Sequence, residues 1–151
     1  QHLSHMTRQM LQRLRPAVLD SMGLRQALTS MCEQWQSSNL TLCTLLFTGE
    51  VDHLNDYASV TVYRIVQESI NNALKHAQAK SIEVSLTLLE NELQLLIKDD
   101  GVGMNMASVD QSQHFGLLGI RERVQGFHGS FSLLSEPNRG TAIHINIPRV
   151  S

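Results

Sequence analysis

Clustered basic residues are missing from this chain: 12 Lys and Arg stand against 14 Asp and Glu, for a formal net charge of −2. A nucleic-acid footprint needs Lys and Arg gathered on one face, so direct nucleic-acid binding is not expected. Long apolar runs are missing as well, although 42% of the residues are hydrophobic. Crossing a bilayer takes about 20 consecutive apolar residues, so any membrane attachment is expected to lie in segments outside this sequence, and the first residues do not read as a signal peptide. Cysteine is scarce. Cys32 and Cys43 show neither CxxC spacing nor the density of a disulfide scaffold. Both sit among apolar neighbours, which predicts buried free thiols and a reducing, cytoplasmic setting. The 7 His residues are scattered, with no HExxH or CxxC…H pattern, and no zinc site is expected. What is present suits one compact domain of 151 residues with a real core, free of repeats and low-complexity segments.

The apolar periods give the order of elements. Leu3, Met6, Met10, Leu11 and Leu14 recur every three or four residues and predict a helix that Pro16 ends or kinks. The chain opens inside that pattern at Gln1, so it is expected to be a piece of a longer protein. Leu24, Leu28, Met31 and Trp35 predict a second helix after Gly23, and residues 40–47 a strand. A long helix is predicted from about Asn55 to His76, with Val62, Val66, Ala73 and Ala77 as its apolar stripe. Ile82, Val84, Leu86 and Leu88, then Leu93, Leu95 and Ile97, alternate with polar residues and predict a hairpin turning at Glu90-Asn91. Residues 100–116 read as loop, 117–127 as a short helix, and 131–134 and 142–147 as strands joined around Pro137-Asn138-Arg139-Gly140. Helices grouped against a mixed, mostly antiparallel sheet make an α+β two-layer α/β sandwich.

Four constellations could carry chemistry. On the long helix, Glu68, Asn72 and Lys75 stand at i, i+4 and i+7 and share a face. A carboxylate, an amide oxygen and an ammonium there could hold Mg²⁺ and polyphosphate. The polar side of any amphipathic helix would look the same. Next, Asp99-Asp100-Gly101-Val102-Gly103 follows a strand in which Leu93, Leu95, Ile97 and Asp99 share one face, so a carboxylate ends a row of core residues. Such a carboxylate needs a donor, and an adenine amino group would serve. A strand-exit turn capped by Asp suits the composition equally. Third, Gly116 and Gly119 at a helix mouth could offer backbone N–H groups to phosphate, while Arg121 and Arg123 in the same helix read more readily as solvated or carboxylate-paired than as phosphate ligands. Fourth, Gly140-Thr141 leads into Ile143, Ile145 and Ile147, placing the Thr141 hydroxyl on the core side. A Thr satisfied by its own backbone is the commoner outcome.

Their joint order resembles the GHKL ATPases, the family of DNA gyrase, MutL and histidine kinases with the Bergerat fold. Glu68 to Lys75 looks like the N box, Asp99 to Gly103 the G1 box, Gly116 to Gly119 the G2 box and Gly140-Thr141 the closing motif; the likeness runs from about residue 55 to 148. Leu14-Arg15-Pro16, Leu19-Asp20 and Gly23-Leu24 are similar to the LRPxxLDxxGL junction of NarX/UhpB/DesK-type sensor histidine kinases, as are the runs Asn71 to Ala77 and Gly116 to Arg123.

The resemblance implies an ATP- and Mg²⁺-dependent protein histidine kinase domain. Asn72 would coordinate Mg²⁺, Glu68 would hold the catalytic carboxylate position, and Lys75 and His76 would contact phosphates. Asp99 would accept from the adenine amino group, Gly101 and Gly103 would shape the pocket, and Gly116, Leu117 and Gly119 would line it. Thr141 would reach the adenine edge, and residues 104–115 would form a lid. Residues 1–22 are expected to be the end of a dimerisation and phosphoacceptor helix with its linker, and residues 23–151 the ATP-binding catalytic domain. The implied partners are that dimerisation domain in a homodimer and a response regulator with a helix-turn-helix output domain. The implied setting is the cytoplasmic side of an inner-membrane sensor. No HDxxxQ acceptor motif occurs in the sequence, so the chain is expected to bind ATP without phosphorylating itself. A serine kinase of the anti-sigma type would lack the LRPxxLDxxGL junction. A degenerate nucleotide-sensing module would show losses at Asp99 or Asn72.

Overall fold

The computed structural model describes residues 17–39, 41–76, 79–102, 111–135 and 137–148. The helix predicted over residues 3–15, along with Ala77, Gly103 and the lid up to residue 110, lies outside these. Helix α1 (Ala17–Asn39) kinks at Gly23, whose φ of 81° and ψ of 175° are not helical. A new helical segment starts there, and its first donors need partners. The Arg25 N–H finds one in Asp52 Oδ1 at 3.0 Å, across from a short 3₁₀ turn at Val51–His53. Leu19, ahead of the kink, is 2% exposed and belongs to the same core as Leu24 and Leu28.

Strand β1 (Leu42–Thr48) and helix α2 (Asp56–His76) follow. Asn55 caps α2, its Oδ1 accepting from the Ala58 N–H at 2.8 Å. Strands β2 (Ser81–Leu88) and β3 (Glu92–Asp99) form the expected hairpin, closed by Leu89 N–H to Glu92 O at 2.8 Å. Helix α3 spans Gln111–Gln125, and β4 (Ser130–Ser135) and β5 (Thr141–Pro148) complete the chain. The five strands lie in the order β1-β2-β3-β5-β4. Only β1 and β2 are parallel, joined by the crossover through α2; the other pairs are antiparallel. This is the expected α+β two-layer architecture.

One sheet face is buried under the helices. Ile82, Val84, Leu86, Leu93, Leu95, Ile97, Ile143, Ile145 and Ile147 meet Val62, Ile65, Val66 and Ile70 of α2, Leu24 and Leu28 of α1, and Ile120 and Val124 of α3. The opposite parity carries Glu83, Gln94, Lys98, His144 and Asn146, all exposed.

Two expectations need correction. Helix α3 begins at Gln111, not Leu117, so Gly116 and Gly119 lie inside a helix and not at its mouth. Residues 111–116 show no apolar period to announce a helix, yet nothing in them breaks one before Gly116, and an interior glycine costs only about 1 kcal/mol against Ala. Second, both cysteines are free, but only Cys32 is fully buried. Cys43 stands on β1, which among the described residues is an edge strand paired only with β2.

Candidate functional site

The register places one row of side chains across the sheet: Cys43, Ile82, Asp99, Thr141 and Ser135, each the cross-strand partner of the next. They share the parity of the core, so the row faces the helices. Its last three members are polar, which makes this end of the sheet a polar margin on an otherwise apolar layer.

Asp99 is half-buried. One carboxylate oxygen accepts the Gly101 N–H at 2.8 Å, and the Thr141 N–H also donates to the side chain. Burial pushes this carboxyl above the ordinary carboxylate range and the Asp100 charge adds to the effect, while the two N–H groups pull it back. A carboxylate raised mainly by burial still has acceptor capacity to offer. Gly101 is buried beneath it. Gly140, at φ +80°, has no room for a side chain, because a Cβ would collide with the Asp99 carbonyl. Thr141 is 7% exposed. Its hydroxyl does not turn back to its own backbone but meets Ser135 Oγ at 2.9 Å.

The neighbouring Asp100 does something else. It is exposed, and its Oδ1 accepts the N–H groups of Lys80 at 2.8 Å and Ser81 at 2.9 Å, while Oδ2 takes the Ser81 hydroxyl at 3.0 Å. These bonds, the Ser81 N–H foremost, hold its carboxyl below the usual range. Asp100 ties the end of β3 to the start of β2.

Helix α2 contributes Glu68 and Asn72, both half-buried and both turned to α3. A Cβ on Gly116 would lie 2.6 Å from Glu68 Oε1 and 3.1 Å from Asn72 Nδ2. Glycine lets the helix backbone come down on these two side chains. The Asn72 Nδ2 is buried with no hydrogen-bond partner among the described residues. Burying such a group costs about 1–3 kcal/mol, and exchanging the two ends of the amide would turn an oxygen to the same place. A carboxylate beside an unsatisfied amide suits a hard divalent cation. By contrast a Cβ on Gly119 would meet nothing within 4 Å. Leu117 packs on the core from a half-buried position. Lys75 and His76 continue α2 through its last turn, with side chains outside the described set, and Gly103 is outside it altogether.

The structure therefore brings Asp99, Gly101, Gly140 and Thr141 together at one sheet end, and Glu68, Asn72 and Gly116 together between α2 and α3. Arg121 lies over the Phe131 ring at 5.5 Å, and Arg123 stands in the field of Glu68. Ser135 was not among the predicted residues. Its parity with Phe131 and Leu133 was the available signal.

The family described as "Histidine kinase-, DNA gyrase B-, and HSP90-like ATPase" matches residues 58–151. Among relatives, the oxygen sensor histidine kinase NreB of Staphylococcus carnosus is 33% identical over 135 residues, covering 89% of this chain and 39% of NreB. The histidine-protein kinase/phosphatase UhpB of Salmonella typhimurium is 33% identical over 144 residues, covering 94% of this chain and 28% of UhpB. The chain thus spans well under half the length of these relatives. Among solved structures, the histidine kinase domain of the Erythrobacter litoralis EL346 blue-light activated histidine kinase superposes with a TM-score of 0.65 at 18% identity, covering 81% of this chain and 59% of that one. The mycobacterial sensor histidine kinase MprB gives 0.59 at 20% identity, covering 83% and 91%. At such identities the likeness is one of fold.

Proposed function

Because the chain belongs to the histidine kinase-, DNA gyrase B-, and HSP90-like ATPase family, we propose that its polar sheet end and the α2–α3 cleft form the nucleotide site of a sensor histidine kinase. In this reading the domain presents ATP so that its γ-phosphate passes to a histidine on a dimerisation domain and from there to a response regulator. The names of the relatives support the setting.

The observation that carries the reading is Asp99. A carboxylate at the end of a core row, half-buried and held by two backbone N–H groups, is poised to accept from an exocyclic amino group. Gly101 and Gly140 keep the backbone close beneath the ring, and Thr141 offers a hydroxyl beside it. Glu68 and Asn72 would hold Mg²⁺, with Gly116 giving room above them. Bound there, the cation would neutralise phosphate charge as the transferred group leaves. Lys75, His76, Leu117, Gly119 and Gly103 would serve as phosphate and lining residues, and residues 104–115, whose last five open α3, would serve as a lid. Phosphoryl transfer asks the protein chiefly for positioning and charge balance, which this set of side chains can supply.

The same reading takes residues 1–22 as the end of a dimerisation helix and its linker and 23–151 as the catalytic domain, the bend at Gly23 being the observation behind that division. A homodimer, a response regulator with a helix-turn-helix output domain and an inner-membrane sensor are proposed with it. Retention of both Asp99 and Asn72 weighs against a degenerate interaction module.

Asp99→Asn is the test. It exchanges an acceptor for a group that can donate wrongly, and ATP affinity is expected to fall at least about tenfold, as for losing a charged hydrogen bond. Calorimetry with Mg²⁺ and a non-hydrolysable ATP analogue measures it, and unchanged affinity would refute the site.

A further inference from the structure

We propose that Ser135 is a positioning residue that fixes the Thr141 hydroxyl as a hydrogen-bond acceptor, tuning the pocket for a purine with an amino group at carbon six over one with a carbonyl there. This rests on the assignment of Asp99 and Thr141 to the purine edge.

The hydroxyl hydrogens decide the polarity. Ser135 Oγ has one hydrogen, and the Gly140 carbonyl takes it at 3.3 Å. That carbonyl is a fixed target, because Gly140 is pressed against the Asp99 backbone at positive φ. The contact between Ser135 Oγ and Thr141 Oγ1, at 2.9 Å, could run in either direction by distance alone. With the serine hydrogen turned to Gly140, the hydrogen in that contact comes from Thr141. The free lone pairs of Thr141 Oγ1 then accept, and they stand on the same face as the Asp99 carboxylate, one strand away.

Two acceptors side by side match the chemistry of an exocyclic amino group, which has two hydrogens to give. One goes to Asp99 and the second to Thr141, directly or through a water. A carbonyl in the same place would set acceptor against acceptor, and a buried mismatch of that kind is what makes polar sites discriminate. Without the Ser135 oxygen, the Thr141 hydroxyl can rotate its hydrogen toward the ligand and meet a carbonyl half-way. Thr141 alone is thus amphoteric; Ser135 makes it one-signed.

The test compares ADP with IDP, which has a carbonyl for the amino group at carbon six and a donor N1–H for the acceptor N1, by calorimetry on the whole chain with Mg²⁺. Because both ligand changes are common to every variant, the readout is the change in their ratio between variants. In Ser135→Ala the ratio of IDP to ADP dissociation constants should narrow about five- to tenfold, the worth of roughly one net hydrogen bond. Ser135→Thr, which keeps the hydroxyl, should restore it. Thr141→Val should narrow the ratio to the same extent, and adding Ser135→Ala to it should change nothing further, a non-additivity that mere strand support would not produce. Should Ser135→Ala leave the ratio unmoved while Asp99→Asn collapses it, the positioning role is wrong and the purine site stands. If Asp99→Asn also leaves the ratio unmoved, both fall. Should Ser135→Ala fail to fold, Ser135→Cys, a far weaker hydrogen-bonding group, takes its place, and an unmoved ratio there likewise overturns the positioning role.

Discussion

Adjacent aspartates at the end of β3 are driven in opposite directions, and the contrast is measurable. Burial raises the Asp99 carboxyl, while backbone and hydroxyl donors depress that of Asp100. In the proposed site Asp99 must be ionised to accept fully, so nucleotide binding should fail as pH drops through a value above the ordinary carboxylate range. Asp100 has the other sign. With its folded value below its unfolded one, its contribution to stability is complete above the unfolded value and disappears as pH falls through the folded one. The expected outcome is an acid window in which the chain stays folded but no longer binds ADP, mapped by calorimetry and circular dichroism over the same pH series. Coincident loss of both would contradict it. Asp100→Ala should cost about 1–2 kcal/mol in urea unfolding, a figure discounted because the side chain is exposed. Only half of this pair was legible in the sequence. Asp99 follows from strand parity, a local regularity with period two, whereas the partners of Asp100 lie 19 and 20 residues away and no pattern along the chain announces them.

At the scale of elements, the helices with apolar stripes were legible, and of α3 the part from Leu117 onward was read while its first turns were not. Helix α2 could be read from about Asn55 onward because Val62, Val66 and Ala73 recur on one face, and all three are buried in the core. The first four residues of α3, Gln111 to His114, are polar, so no apolar period announces them. The approach of α3 to α2 separates its two glycines. At Gly119 a Cβ has open space, so Gly119→Ala should stabilise the helix by roughly 0.5–1 kcal/mol. If its bareness serves close approach to phosphate, nucleotide affinity should fall in the same variant, and thermal melts beside calorimetry separate the two effects. At Gly116 the added methyl would press on Glu68 Oε1 and Asn72. The Glu68 side chain can swing aside, so the fold should survive. The change should instead reduce the gain in ADP affinity on adding Mg²⁺, with affinity in EDTA much less affected. An unchanged Mg²⁺ response would detach Glu68 and Asn72 from the metal.

Across the whole molecule, the sheet has one apolar end and one polar end, and they should be energetically separable. Leu93 pairs with Leu88 on one side and Ile147 on the other, each of them buried. It stands six positions along β3 from Asp99, about 20 Å at the rise of an extended strand. Leu93→Ala should therefore cost about 2–5 kcal/mol through lost burial and an incompletely collapsed cavity. Changes farther apart than about 10 Å with no shared partner usually add independently. The ADP dissociation constant measured below the melting transition should match that of the unaltered chain. Saturating nucleotide acts only on the folded state, so at about 100 times its dissociation constant it should add roughly 2.7 kcal/mol to both proteins alike. A smaller increment in the Leu93 variant would mean that packing at the apolar end reaches the polar row through the strands, and that the site is held by the sheet as a whole.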